Sequence, residues 1–359
     1  MNKVKQPISL AAAAVALLLS ATVRAQDALA DNMLLHQRNV GGWPKQINGQ
    51  KVDYTKTLTP AEKAGVQAGA GGKDATIDNH ATTKEIRHLV AAFRQTGNKA
   101  YLQAAEKGIR YLLTMQNNKG GFPQYYPDIS LYRSQVTYND NAMIDALNVL
   151  WDAAHATAGF EVVDAALKQP AQQAIEKAID CILKTQLTVN GKLTAWCTQY
   201  DSQTLQPAKA RAFELPCISA AESVGIVNFL MKVEQPSADV KAAIEGAVNW
   251  LRSVKIEGYK YADIADASLP KGKDRVVLPE AGSVLWARFY DIETGKPFFC
   301  GRDGVKKWSV AEIEHERRIG YAWYGTWAQK LLDKEYPNWQ KKQAAGNKQV
   351  AKGNSFIGN

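Results

Sequence analysis

"TTKEIRHLVAAFRQTGNKAYLQAAEKGIRYLLTM", residues 82–115, is where the architecture is written most plainly. In 82–96 apolar residues recur at three- and four-residue spacing, the period of an amphipathic helix. Gly97-Asn98 interrupts the pattern, and 99–115 resumes it. The same paired alternation returns at 141–157 with 171–186 and at 218–232 with 238–254. Shorter helices are expected near 282–290 and 309–334. Between the pairs lie loops rich in Gly, Pro, Asn and aromatic residues, notably 116–139 and 255–280. Long loops inside a compact domain are commonly functional.

The loops echo one another. "NVGGWPKQI" (39–47) resembles "NKGGFPQYY" (118–126), and "CILKTQLTVNGKLTAWCTQYD" (181–201) repeats the plan of a helix ending in Gln, a glycine turn and an aromatic segment. "NWLRSVKIEGYKYADI" (249–264) reads as a fourth copy. The period is longer than that of solenoid repeats. The expected fold class is therefore all-α: an α/α toroid of helical hairpins whose long loops form the active cleft. A bundle with decorated loops is the plainer alternative.

The ends differ in character. Lys3 and Lys5 precede an apolar run from Ile8 to Leu19, and Val23-Arg24-Ala25 offers small residues for cleavage. This pattern reads as a secretory signal peptide over 1–25, which makes the protein secreted or periplasmic. The run is short for a membrane span, so the mature form has no expected membrane partner. The catalytic unit is expected over 26–337, acting as a monomer. Residues 338–359 lose periodicity, become polar and basic, and read as a disordered tail.

The formal charge is +9, and loss of Lys3, Lys5 and Arg24 leaves +6. For an exported protein this disfavours nucleic acid and favours an acidic polymer as partner. The four cysteines, Cys181, Cys197, Cys217 and Cys300, match no zinc spacing and allow three pairings, among which the sequence does not choose. There is no Gly-x-Ser-x-Gly elbow and no Walker loop, which disfavours serine hydrolases and nucleotide-dependent enzymes.

Three sets of residues carry possible chemistry. "TIDNHAT" (76–82) and "TYNDNAM" (137–143) each put Asp and Asn just before a helix. Either alone reads as a helix cap, and Thr82 with Glu85 fits a capping box. Together, Asp78-Asn79 and Asp140 offer the oxygen ligands that a hard cation such as Ca²⁺ takes. Arg211, Arg275, Arg288 and Arg302 lie in loops beside aromatics. Guanidinium is the preferred fork for a carboxylate, although Glu214 near Arg211 and Asp291 near Arg288 could simply pair with them. The aromatics Tyr138, Trp196 and Tyr200 fall in the loops, where they either stack on sugar rings or plug the loops against the core.

Taken in order, "NVGGWPKQI", "TIDNHATTKEI", "NKGGFPQYYP", "TYNDNAM", "AWCTQYD", "ARAFELP", "FFCGRDG" and "GYAWYGTW" resemble the family 10 polysaccharide lyases, which are pectate lyases. The resemblance runs from about residue 32 to 334. It implies an α/α toroid that cleaves polygalacturonate by calcium-dependent β-elimination. It implies Arg302 as the base, Asp78 and Asp140 as calcium acids with Asn79 beside them, Arg211 and Arg288 as holders of substrate carboxylates, and Glu214 as a further site acid. Arg275 has no counterpart and stands only as a flanking candidate. Two other readings of the residues remain: a glycoside hydrolase using Asp78 and Asp140 as acid and base, and a non-catalytic binder of acidic polysaccharide.

Overall fold

The protein is described here by a computed structural model covering residues 26–354. The expected signal peptide, 1–25, lies outside the described residues. Ten α-helices follow in order: α1 (Ala28–His36), α2 (Pro60–Ala68), α3 (Thr83–Thr96), α4 (Lys99–Met115), α5 (Ala142–His155), α6 (Lys168–Thr185), α7 (Ala220–Leu230), α8 (Ala238–Ser253), α9 (His315–Gly320) and α10 (Tyr336–Asn354).

The break at Gly97-Asn98 works from both sides. Gly97 takes the left-handed conformation (φ 68°) that closes α3, its N–H bonded to the Phe93 carbonyl at 2.7 Å. Asn98 caps α4 by accepting the Ala100 N–H at 3.1 Å. Hairpins α3–α4, α5–α6 and α7–α8 lie side by side, so that α3, α5 and α7 form one layer and α1, α4, α6 and α8 the other. The core between them is apolar, with Ile86, Leu89, Ile109, Leu112, Leu147 and Ile182 all buried.

The sequence echo has a structural cause. Each glutamine that follows α1, α4 or α6 bridges its own turn to the next helix of that layer. Gln37 Nε2 donates to the Gly41 and Ala104 carbonyls, Gln116 to Gly120 and Ala174, and Gln186 to Thr194 and Ala243, all at 2.7–3.0 Å. The turn must come close to that next helix. At Gly120 (φ 87°) a Cβ would sit 2.0 Å from the Lys177 carbonyl oxygen, so only glycine fits. The aromatic segment then locks back: the indole N–H groups of Trp43, Trp196 and Trp286 donate to the carbonyls of Met33, Ile182 and Leu251.

Trp286 identifies the fourth copy, and it is not 249–264. The echo is 285–291 (LWARFYD), displaced from α8 by an antiparallel hairpin, Ile256–Ala265 with Lys273–Ala287. This arm replaces both the loop expected at 255–280 and the helix expected near 282–290. The helical class holds, with this hairpin as its main sheet. Tyr261 faces Val277 across the strands and Asp263 faces Arg275; aromatic and β-branched residues favour such pairing, whichever period their neighbours show.

Near 309–334 the expected helix is broken into α9 and a wide turn at Leu331–Glu335 that runs into α10. The tail expected from 338 is corrected by α10: Trp339 is buried and stacks on Tyr336 at 5.8 Å. Its flanks are too polar for periodicity to reveal that one anchor. No helix among the described residues is long and apolar enough to cross a membrane.

Candidate active site

The starts of α3, α5 and α7 lie at one end of the hairpins, where short strands join successive loops. Thr76 bridges Tyr125, Val136–Thr137 pairs with Gln199–Tyr200, and Ile218–Ser219 pairs with Phe289–Tyr290. These links set the candidate residues along one continuous edge.

The two Asp-Asn turns are not caps. Neither Thr82 nor Asn141 makes a side-chain cap bond, and the Thr82–Glu85 capping box does not form. Thr82 donates to the Thr76 carbonyl, while Glu85 is buried against the Tyr54 hydroxyl at 2.9 Å. Instead, Asn79, His80, Thr82, Asp140 and Asn141 all have φ between 51° and 67°. Left-handed backbone in non-glycine residues is costly and gathers at functional sites. Asp and Asn tolerate it best, which is why this pair recurs. The two turns are neighbours: His80 Nδ1 lies 2.6 Å from Asp145 Oδ2 in the first turn of α5.

Asp78 is buried and pairs through one oxygen with Lys45. Burial opposes the Lys45 charge, but Asp78 outweighs it and raises the ammonium pKa. The other oxygen, Oδ1, is buried with no partner. Asp140 accepts from Arg288 Nη2 at 3.0 Å and from the Asn139 amide at 2.9 Å. Arg288 is itself buried and also holds Glu222, which accepts from the Ser219 hydroxyl as well. Burial works against the Arg288 charge, yet Glu222, the Tyr321 phenol and Asp140 hold its proton more tightly than usual.

A second cluster begins across Tyr321. Arg288 and Arg317 lie 4.8 and 4.9 Å from the centroid of that ring. Arg317, Arg211 and Arg302 then surround Phe213 at 4.4, 4.9 and 5.3 Å. The site is thus an acidic end and an arginine end joined through Arg288.

Arg211 and Arg302 each follow a copy of one motif, four residues after Pro207 and five after Pro297. "YDSQTLQP" (200–207) and "YDIETGKP" (290–297) fold alike, with Tyr200 bridging Pro207 and Tyr290 bridging Pro297. Arg211 forks onto Glu214, with Nε–Oε2 at 2.8 Å, and that pairing raises its pKa. Arg302 is exposed and forks onto Glu316 at 2.9 and 3.3 Å.

Residues 37–332 match the pectic acid lyase family. The chain belongs to that family. It is an enzyme, a polysaccharide lyase acting on pectate. A family 10 polysaccharide lyase from Cellvibrio cellulosa is similar to it, with 37% identity and a TM-score of 0.74 over 85% of this chain and 90% of that one. An aspartate-to-alanine mutant of a family 10 polysaccharide lyase from the same organism, solved in complex with trigalacturonic acid, matches with the same values. No curated protein matches the chain.

In this pectate lyase several expected placements change. Tyr138, Trp196 and Tyr200 are fully buried and offer no face to a sugar. They plug the loops: Tyr138 bonds Thr185 at 2.9 Å, and Tyr200 accepts the Cys197 N–H at 2.6 Å. Glu214 has both oxygens engaged by Arg211 and serves as that arginine's counter-ion. Among the described residues no group of three or more His, Cys, Asp or Glu side chains could alone hold a metal. Arg275 lies on the arm, paired with Asp263. Gly301 lets Glu314 come close, because a Cβ there would strike the carboxylate that takes the Arg302 N–H.

Three residues escaped the sequence reading. Lys45 lies in the first echo, with no acidic residue near it in sequence. Glu222 opens the third hairpin as Asp78 and Asp140 open the first two, but without the Asp-Asn signature. Arg317 follows Glu316 in a charged run with no flanking glycine. It makes no ion pair among the described residues, its Nε is buried without a partner, and burial together with the Arg302 and Arg211 charges lowers its pKa.

Proposed function

We propose that this lyase is an exported, monomeric α/α toroid that cleaves polygalacturonate by calcium-dependent β-elimination, with Arg302 as proton acceptor. The observation that carries the proposal is the segregation of buried acids from clustered guanidiniums, linked by Arg288. Such a gradient suits a polymer that bears one carboxylate on every sugar.

The donor set fits a hard cation in part. Asp78 Oδ1 is an orphaned buried oxygen, Asp140 is partly exposed and the Asn79 amide is exposed. Asp78, Asp140 and Asn79 would hold Ca²⁺, with substrate oxygens and water completing its shell. Bound there, Ca²⁺ supplies positive charge beside the carboxylate next to C5, making that C–H more acidic.

The chain's own residues do the rest. Arg211 and Arg288 orient the uronate carboxylates. Arg302 takes the proton from C5, electrons move into a C4–C5 double bond, and the C4–O bond breaks, freeing the leaving chain. A guanidinium must lose its proton for this, so alkaline pH is expected to favour the step. Glu316 must release Arg302 as well. Arg317 supports a second reading, in which it is the acceptor: it has no counter-ion to release and already holds its proton less tightly.

The test is polygalacturonate cleavage, followed by ultraviolet absorbance of the unsaturated product, with added Ca²⁺ or chelator, across pH. Wild type is expected to need Ca²⁺ and to quicken toward alkaline pH. Arg302→Ala is expected to lose at least 10²-fold in kcat. Retention of most activity there, with loss in Arg317→Ala, transfers the role to Arg317. Reducing ends without absorbance would replace the lyase mechanism by hydrolysis.

A further inference from the structure

We propose that Cys197 and Cys217 form a disulfide in the folded enzyme, tying together the ends of the segment that carries Arg211, Phe213 and Glu214. The proposal rests on the export reading, since an oxidising compartment is where such a bond persists. Its chemistry is independent of the reaction catalysed.

The geometry comes first. Trp196 bridges Ser219, with the Ser219 N–H on the Trp196 carbonyl at 2.8 Å, so the strands that carry the two cysteines run antiparallel. The Cys217 N–H donates to Cys197 Sγ at 3.4 Å, and both residues are free thiols in the structure. The Cys217 backbone thus lies against the Cys197 sulfur, and turning the Cys217 side chain toward that sulfur is what the about 2.05 Å of a disulfide requires. Cys181 and Cys300 pair with neither: Cys181 interacts with Tyr138, and Cys300 Sγ approaches the Gly301 carbonyl at 3.5 Å. The two thiols are also unequal. Burial raises both, but bonds from the Cys217 thiol and N–H bring Cys197 down to about 7, while Cys217 is pushed up.

The segment between them has reason to be tied. Residues 201–216 contain few regular elements, and Arg211 is exposed at their tip. A bridge between residues 197 and 217 fixes both ends of this excursion where it leaves the buried strands. Both cysteines are fully buried, so the bond forms as the chain folds. The step balances with a small-molecule disulfide as oxidant. The Cys197 thiolate attacks one sulfur of oxidised glutathione and releases one glutathione thiolate. The Cys217 thiolate then displaces the second, giving one protein disulfide and two reduced glutathiones.

The full chain is refolded in glutathione buffer rich in the oxidised form, denatured without reductant and treated with iodoacetamide. The expected result is two alkylated cysteines, Cys181 and Cys300, with Cys197 and Cys217 joined in the peptide map. Four alkylated cysteines, or a link through Cys181 or Cys300, overturns the proposal. As a second measurement, wild type refolded under oxidising conditions should melt about 5 °C above wild type refolded with reductant. Cys217→Ser should show no such difference, and an equal difference in that variant overturns the assignment.

Discussion

Arg288→Met tests the link between the two halves of the site. Methionine keeps much of the arginine stem's volume, so the change removes charge and hydrogen bonds more than packing. Arg288 holds two carboxylates: Asp140 at 3.0 Å, partly exposed, and Glu222, fully buried. At an effective dielectric of 20, a contact at that distance corresponds to about 5 kcal/mol of Coulomb energy. Desolvation offsets most of this while the pair is intact. Once Arg288 is gone, Glu222 stays buried with the Ser219 hydroxyl and a long bond from the Asp140 N–H (3.4 Å) but no counter-charge, and breaking such a pair costs about 3–5 kcal/mol. Urea unfolding is the assay of choice, because urea leaves electrostatics unscreened. In a Glu222→Gln background the penalty of Arg288→Met should shrink by about 1–3 kcal/mol, since a neutral amide needs no counter-charge. It should not vanish, because Asp140 remains. Equal penalties in the two backgrounds, within about 0.5 kcal/mol, would refute the electrostatic account of the site.

Three further outcomes follow from named contacts. Tyr200→Phe strands the buried Cys197 N–H and should cost about 1–3 kcal/mol of stability while leaving KM for polygalacturonate unchanged, as read by urea melts and initial rates; a raised KM at unchanged stability would restore a sugar-binding role. Truncation after residue 337 removes Trp339 and should destabilise by about 3–5 kcal/mol in the same melts; an unchanged midpoint would return α10 to the status of a tail. Asp291 is buried, but Lys306 and the Thr294 N–H and hydroxyl hold its carboxyl down at about 2. A carboxyl lowered on folding stabilises above its unfolded value and loses that contribution as pH falls through its folded one. Wild type should therefore lose about 1–2 kcal/mol between pH ~4 and ~2, a slope that Asp291→Asn should lack. Parallel acid limbs in the two proteins would count against the pairing.

The helical hairpins were legible because their cause is local. Apolar spacing in 82–115 and the Gly97-Asn98 break are properties of neighbouring residues, and the structure ends and starts its helices on those two. The arm was not legible. Tyr261 and Val277 declare a strand only when they face each other, and a window along the chain sees a loop. Trp339 failed for a related reason, since one buried anchor in a polar helix produces no period.

The candidate site divides along the same line. By itself the sequence determined its chemistry: Asp and Asn at two hairpin openings, arginines in the loops, and an ordered set of motifs that fixes the family. Tertiary structure decided which groups are available. It turned the Asp-Asn pairs from caps into left-handed turns, buried Tyr138, Trp196 and Tyr200, and spent Glu214 on Arg211. It also brought in Glu222, Lys45 and Arg317, and set Cys197 beside Cys217. Residue type is a property of one position, whereas burial and ionic pairing belong to two segments that meet only after the hairpins have packed.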